Sequence, residues 1–243
     1  MGSEHPDTLA VMHSLGVVYD GLHLYPKEEA RWRELAEIRT RVLGRDHPNT
    51  LAAVNNLAYT EFREGKLADA EKLQRETLAI NRRVLGNEHP AVLTVLGNLA
   101  NTLQKENRLD EAEDLQRQVF KARERVLGPD NPDTLFAMNN LAGVLASEGK
   151  YNEAEHLYLQ ALAGEKRVLG ENHPELIGLW YDLASLEAMQ GHRDQALGYL
   201  RTSINHGYAD PAELSADTNF KSLHSDTEYQ KLFAEVQRHA AKQ

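Results

Sequence analysis

The sequence contains no cysteine, which excludes disulfides, thiolate nucleophiles and thiolate-held metal together. It has no run of the roughly 18 apolar residues that a membrane-spanning helix needs, and nothing at its start reads as a signal peptide. No membrane partner is expected, and the expected location is cytoplasmic. Positive charge is short, with 27 Lys and Arg against 37 Asp and Glu, a formal charge of -10 and a pI of about 5.6. Such a surface repels phosphate backbones, so no nucleic-acid partner is expected. Aromatic residues make up only 7%. Ala, Leu, Glu, Arg, Gln and Lys fill most segments, a mix that favours helix.

What the chain does have is a period. Arg-Val-Leu-Gly recurs at Arg41–Gly44, Arg83–Gly86, Arg125–Gly128 and Arg167–Gly170, 42 residues apart each time. Three residues after each glycine stand His47-Pro48, His89-Pro90, Asn131-Pro132 and His173-Pro174, with His5-Pro6 one period earlier. Leu57-Ala58, Leu99-Ala100, Leu141-Ala142 and Leu183-Ala184 keep the step, as do the small residues Ala70, Ala112, Ala154 and Ala196. A fixed period in this range means a solenoid of stacked units.

Each unit reads as two helices. Proline suits the first turn, because it has no N–H to leave unpaired and its φ is already helical; the preceding His or Asn then falls near the N-cap. Helix A runs from about Pro48 to Glu64, with Leu51, Val54, Leu57 and Ala58 on one face. Gly65 ends it, and helix B runs from about Leu67 to Leu85 before Gly86. Alanines at 58 and 70 let the two backbones approach closely.

A Leu-Ala pair, a glycine seven residues after the alanine and an alanine five residues beyond that resemble the tetratricopeptide repeat. The string Val-Leu-Gly-x-x-His-Pro-x-Thr-Leu with Asn-Asn-Leu-Ala, at Val42–Ala58 and with Asn131 for His at Val126–Ala142, resembles the kinesin-light-chain type. The resemblance implies an all-α, right-handed superhelical solenoid of helix-turn-helix hairpins. Five repeats are expected over residues 1–205, at approximately 1–42, 43–84, 85–126, 127–168 and 169–205. A C-terminal helical cap is expected over 206–243, where Phe220, Leu223, Tyr229 and Leu232 would cover the last hairpin. That segment resembles the tail following such repeats in some bacterial multidomain proteins, including protein kinases, so a bacterial source is expected.

Repeat one departs from the pattern. Glu28 stands where the other repeats have the small alanine, and Arg31 replaces a core leucine, with Trp32 and Leu35 as alternative bulk; looser packing is expected there. Because the chain starts inside the repeat register, the expectation is a piece of a longer array with an effector domain before it.

Stacking places helices A on a concave wall, with the stripe Ala52, Asn55, Tyr59 and Phe62 toward the groove. Equivalent rows bring in Asn101, Phe136, Asn139 and Tyr181, while Asn56, Asn98 and Asn140 lie on the rim. An asparagine amide carries donor and acceptor together and so suits an extended peptide backbone of any sequence; the aromatics would anchor apolar side chains. In kinesin-light-chain repeats, groove asparagines hold a cargo peptide, a role the resemblance carries to Asn55, Asn139, Asn56 and Asn140, and to Asn98 in part. The other reading makes the asparagines a structural ladder between neighbouring helices A. Few charges are expected in the groove.

Of the eleven histidines, His5, His47, His89 and His173 recur once per repeat before proline, which reads as helix capping rather than metal binding. There is no phosphate loop, Gly-x-Gly-x-x-Gly or Gly-x-Ser-x-Gly. No cofactor, metal or catalytic residue is expected. The expected function is a protein-interaction scaffold that binds an extended peptide or partner protein in the groove, as a regulatory module of a larger protein. The alternatives are a self-assembling solenoid, homo-oligomeric through the exposed N-terminal repeat, and a signalling-peptide or small-ligand sensor.

Overall fold

The structure, a computed structural model, describes residues 2 and 4–241; residues 1, 3, 242 and 243, at the outer ends of the expected segments, lie outside the described residues. Among the described residues there is no strand. Hairpins form from α1 (Pro6–Gly21) and α2 (Tyr25–Leu43), α3 (Pro48–Arg63) and α4 (Leu67–Leu85), and α5 (Pro90–Lys105) and α6 (Leu109–Leu127). They continue with α7 (Pro132–Ser147) and α8 (Tyr151–Leu169), then α9 (Leu176–Gln190) and α10 (Arg193–Asn205). After them come α11 (Pro211–Ala216), a 3-10 helix (Thr218–Leu223) and α12 (Thr227–Ala240). None of these helices is long and apolar enough to cross a membrane. The chain divides into two compact units, residues 1–122 and 123–243, with the boundary inside α6.

Local chemistry sets the helix ends. His5, His47 and His89 each accept the backbone N–H two residues on through Nδ1, at 3.3, 3.1 and 3.2 Å, and Asn131 does so through Oδ1 at 2.9 Å. Each satisfies one of the donors that a helix N-terminus leaves unpaired. The first helix of each hairpin closes on a left-handed residue: Gly65, Gly149 and Gly191 at φ near +78°, and Asn107 at +61°. His23, 42 residues before Gly65, adopts φ +54° as well. A third device closes the hairpin as a whole. The arginine of Arg-Val-Leu-Gly reaches back 37 residues to an acid ahead of its own first helix: Arg41 to Glu4 at 2.7 Å, Arg83 to Asp46 at 2.6 Å and Arg167 to Asp130 at 2.5 Å.

In the first unit, Leu9, Met12, Trp32, Leu35, Ile38, Ala53 and Leu57 share one core. The interior of the first hairpin is close-packed, contrary to the looseness expected from its sequence. A Cβ added to Gly16 would lie 2.5 Å from Trp32 Cζ2, so the absent side chain makes room for the indole. Glu28 is 2% exposed and is held by Trp32 Nε1 at 3.1 Å and Thr60 Oγ1 at 2.7 Å. The outer face of α1 differs, with Val11, Val17 and Val18, and Leu22 just beyond its end, all more than half exposed.

In the second unit the C-terminal segment shares a core with α9 and α10. Phe220, Leu223, Tyr229, Leu232 and Val236 pack with Ala184, Leu197, Leu200 and Ile204. Burying side chains of this size contributes about 1.5–3 kcal/mol each relative to leaving them in water.

Candidate functional site

The 42-residue period brings asparagines of successive first helices within reach of each other. In the first unit, Asn98 Nδ2 on α5 donates to Asn55 Oδ1 on α3 at 3.2 Å. In the second, Asn139 Nδ2 on α7 donates to Asp182 Oδ2 on α9 at 3.1 Å. These are equivalent contacts, because Asp182 occupies the position that Asn56, Asn98 and Asn140 hold in earlier repeats. The ladder is therefore present in both units, and in the last hairpin one of its rungs is a carboxyl.

Each ladder borders a cavity. In the first unit a cavity of about 340 Å³ is lined by Ala52, Asn55, Asn56, Asn81, Ala91 and Thr94, among others. In the second, a cavity of about 430 Å³ is lined by Phe136, Asn139, Glu165, Glu175, Gly178 and Asp182, with Leu135, Val168 and Leu179 as its apolar wall. Phe136 is 56% exposed there. Tyr59 and Phe62 are half-buried and stacked at 6.3 Å, with Arg63 donating to the Tyr59 hydroxyl. Asn101 accepts from the buried Gln116 amide at 3.0 Å, which ties it into the first unit.

Tyr181 does not line the groove as expected. It is 8% exposed, stacks on Tyr208 at 4.8 Å and donates its hydroxyl to Asp217 at 3.0 Å. The C-terminal segment covers its ring, so it belongs to the core of the second unit. Charge is a second correction. Glu165 and Asp182 both line the larger cavity, and burial raises their carboxyls to about 7 and about 6. Glu175 and Asp182 raise Glu165 further; Glu213 and Asp217 do the same to Asp182, against the lowering effect of the Asn139 hydrogen bond. Asn139 Oδ1 and Glu165 Oε2 are shut off from solvent with no hydrogen-bond partner. Asp182 was legible as an acid in an asparagine position. Glu165 was not, because a position on a second helix gave no sign of facing the groove. Among the described residues no three His, Asp or Glu side chains stand together as metal ligands would.

Tetratricopeptide repeat family models match residues 8–49 and, in overlapping windows, 50–125, 95–164 and 136–206. The chain belongs to the tetratricopeptide repeat family. Among solved structures, these tetratricopeptide repeats are similar to the nearly identical TPR-like repeats of a protein described as a kinesin light chain from Podosopora anserina. That match has 25% identity and a TM-score of 0.67, covering 88% of this chain and 99% of that one. They are similar also to BtubC (BKLC) from P. vanneervenii, with 18% identity, a TM-score of 0.68 and coverage of 87% and 82%. A Rap protein complexed with Competence and Sporulation Factor shares the fold at 14% identity and a TM-score of 0.67, covering 93% of this chain and 70% of that one. No curated protein matches the sequence.

Proposed function

We propose that the chain is a non-catalytic interaction scaffold that binds an extended peptide, or an extended segment of a partner protein, along the ladder-bearing faces of its first helices. The observation that carries this is the placement of the asparagines. Asn55 in one unit and Asn139 in the other line a cavity, and Asn98 is tied to the first through its bond to Asn55. An amide that spends one group on the ladder keeps another for a peptide backbone. Asn56 and Asn140 flank these contacts, Phe136 supplies an exposed apolar platform, and Tyr59 with Phe62 a half-buried one. The Rap neighbour's complex with Competence and Sporulation Factor supports a signalling-factor ligand as one form of this reading. We assign residues 1–205 to five repeats and 206–243 to the capping segment, and place the whole as a cytoplasmic regulatory module of a larger protein.

Panning a displayed peptide library on the wild type and on an Asn55→Ala, Asn139→Ala double variant tests the proposal. Peptides selected by the wild type and lost by a variant with unchanged circular dichroism are the expected result. Equal retention by both proteins would remove the asparagines from the binding site.

Self-assembly is a second reading, favoured by the exposed apolar side chains Val11, Val17 and Val18 of α1 and Leu22 at its C-cap. It requires a mass in sedimentation that rises with concentration and reverts in Val11→Glu, Val18→Glu; a chain monomeric at every concentration ends it.

A further inference from the structure

We propose that the cavity between α7, α8 and α9 receives the guanidinium group of an arginine side chain carried by the bound peptide. This inference rests on the peptide-binding reading and narrows its ligand.

The argument begins with one repeat position. Residues 39, 81, 123 and 165 are equivalent on the second helices, and they are Arg39, Asn81, Arg123 and Glu165. Where the residue is arginine, its guanidinium lies over the start of the next hairpin and donates to a backbone carbonyl ten residues on. Arg39 bonds Asn49 O at 2.9 Å, and Arg123 bonds Asp133 O at 3.0 Å. In the fourth hairpin the side chain is a carboxylate, and the space beside it is the cavity of about 430 Å³. The fold thus holds a guanidinium of its own at this place in two hairpins and presents its chemical complement in another.

The cavity's polar groups fit such an occupant. Glu165 Oε2 and Asn139 Oδ1 come from different helices, both are enclosed, and neither has a partner. Enclosed acceptors left unpaired are costly, and a donor entering the cavity satisfies them once the two side chains turn toward it. Asp182 and Glu175 add carboxylates from and beside α9. Neighbouring cations are engaged: Lys166 lies 4.7 Å over the Trp180 ring, Arg167 pairs with Asp130, and Arg123 bonds the backbone carbonyl of Asp133 at the cavity's edge. A guanidinium offers five donors in one plane to acceptors approaching from several sides, whereas an ammonium offers three from a point. Exposed Phe136 gives that plane a ring to stack on.

The groups facing Glu165 and Asp182 are Glu175 just ahead of α9, Asp133 at the start of α7, Tyr158 on α8, and Glu213 and Asp217 from the C-terminal segment. Acids dominate this set, and burial holds both carboxyls partly protonated near neutrality. A cation binds their ionised forms, so affinity should rise as pH passes from about 5 to about 8.

The test uses the full chain, labelled for amide NMR. It is titrated with Ac-Ala-Ala-Arg-Ala-Ala-NH2, its citrulline and lysine counterparts, and n-butylguanidinium alone. The expected result is a saturable shift of the Phe136 and Gly178 amides by the arginine peptide, at least tenfold tighter than the citrulline peptide and tighter than the lysine one. Glu165→Gln with Asp182→Asn should weaken it at least tenfold in a protein whose other amides are unmoved. Equal binding of arginine and citrulline peptides overturns the proposal, as does an arginine affinity indifferent to the double substitution. Lysine binding as tightly as arginine overturns the guanidinium assignment. If the peptides shift only Asn55 and Asn98, the cation cavity falls and the peptide reading stands. If butylguanidinium saturates Gly178 while no peptide binds, the cavity stands and the peptide reading falls.

Discussion

Glu28 shows how a residue that breaks a repeat pattern can still be part of the structure. Its Oε1 accepts from both the Trp32 indole and the Thr60 hydroxyl in a site sealed from solvent. Glu28→Ala removes the acceptor and strands the buried Trp32 N–H, while the Thr60 hydroxyl can still donate to Asn56 O, so it should cost about 1–3 kcal/mol in urea unfolding. Glu28→Gln keeps an acceptor oxygen there and should cost less, and an alanine variant as stable as the wild type would contradict this account. The departure itself was plain in the sequence, but its meaning was not. Trp32 lies one turn further along the same helix, but Thr60 sits on another hairpin, and only tertiary packing makes it a partner. The same limit separated the legible part of the candidate site from the rest. Asn55, Asn98 and Asn139 could be placed because the period carries one geometry from repeat to repeat. Tyr181 was misplaced because a segment outside the repeat covers it.

At the scale of the element the sequence was far more readable, because the forces that start and stop a helix act within a few residues. His-Pro marked the first turns at Pro6, Pro48 and Pro90, where each cap makes the bond its position demands. In the fifth repeat it did not, because α9 starts only at Leu176, although His173 still accepts the Glu175 N–H at 3.3 Å. Asn131 does the same work in the fourth repeat. Consequently His47→Ala should lower stability by about 0.5–2 kcal/mol while His47→Asn should be close to neutral. Thermal unfolding of the pair checks this, and equal losses in both would mean that the imidazole acts through something other than capping. His23 was legible in principle, because histidine, like asparagine, is enriched at positive φ and it stands one period before Gly65.

For the molecule as a whole, the composition foretold an acidic surface but not where acid would be buried. Glu165 and Asp182 carry carboxyls raised by desolvation from 4.5 to about 7 and from 3.8 to about 6. A carboxyl raised in the folded state favours folding while it is protonated, and that contribution is lost as pH climbs through the folded value. Denaturant midpoints should therefore decline between about pH 5 and pH 8, and Glu165→Gln should flatten the decline. An identical slope in the variant would show that Glu165 is already ionised when folded. The ion pairs that join Arg41 to Glu4, Arg83 to Asp46 and Arg167 to Asp130 bear on how such a chain arises. Each of these ties joins two ends of a single 42-residue stretch, not two neighbouring stretches. A tandem duplication in the gene that copies the stretch copies the knot with it, and the array lengthens without waiting for a new partner to evolve.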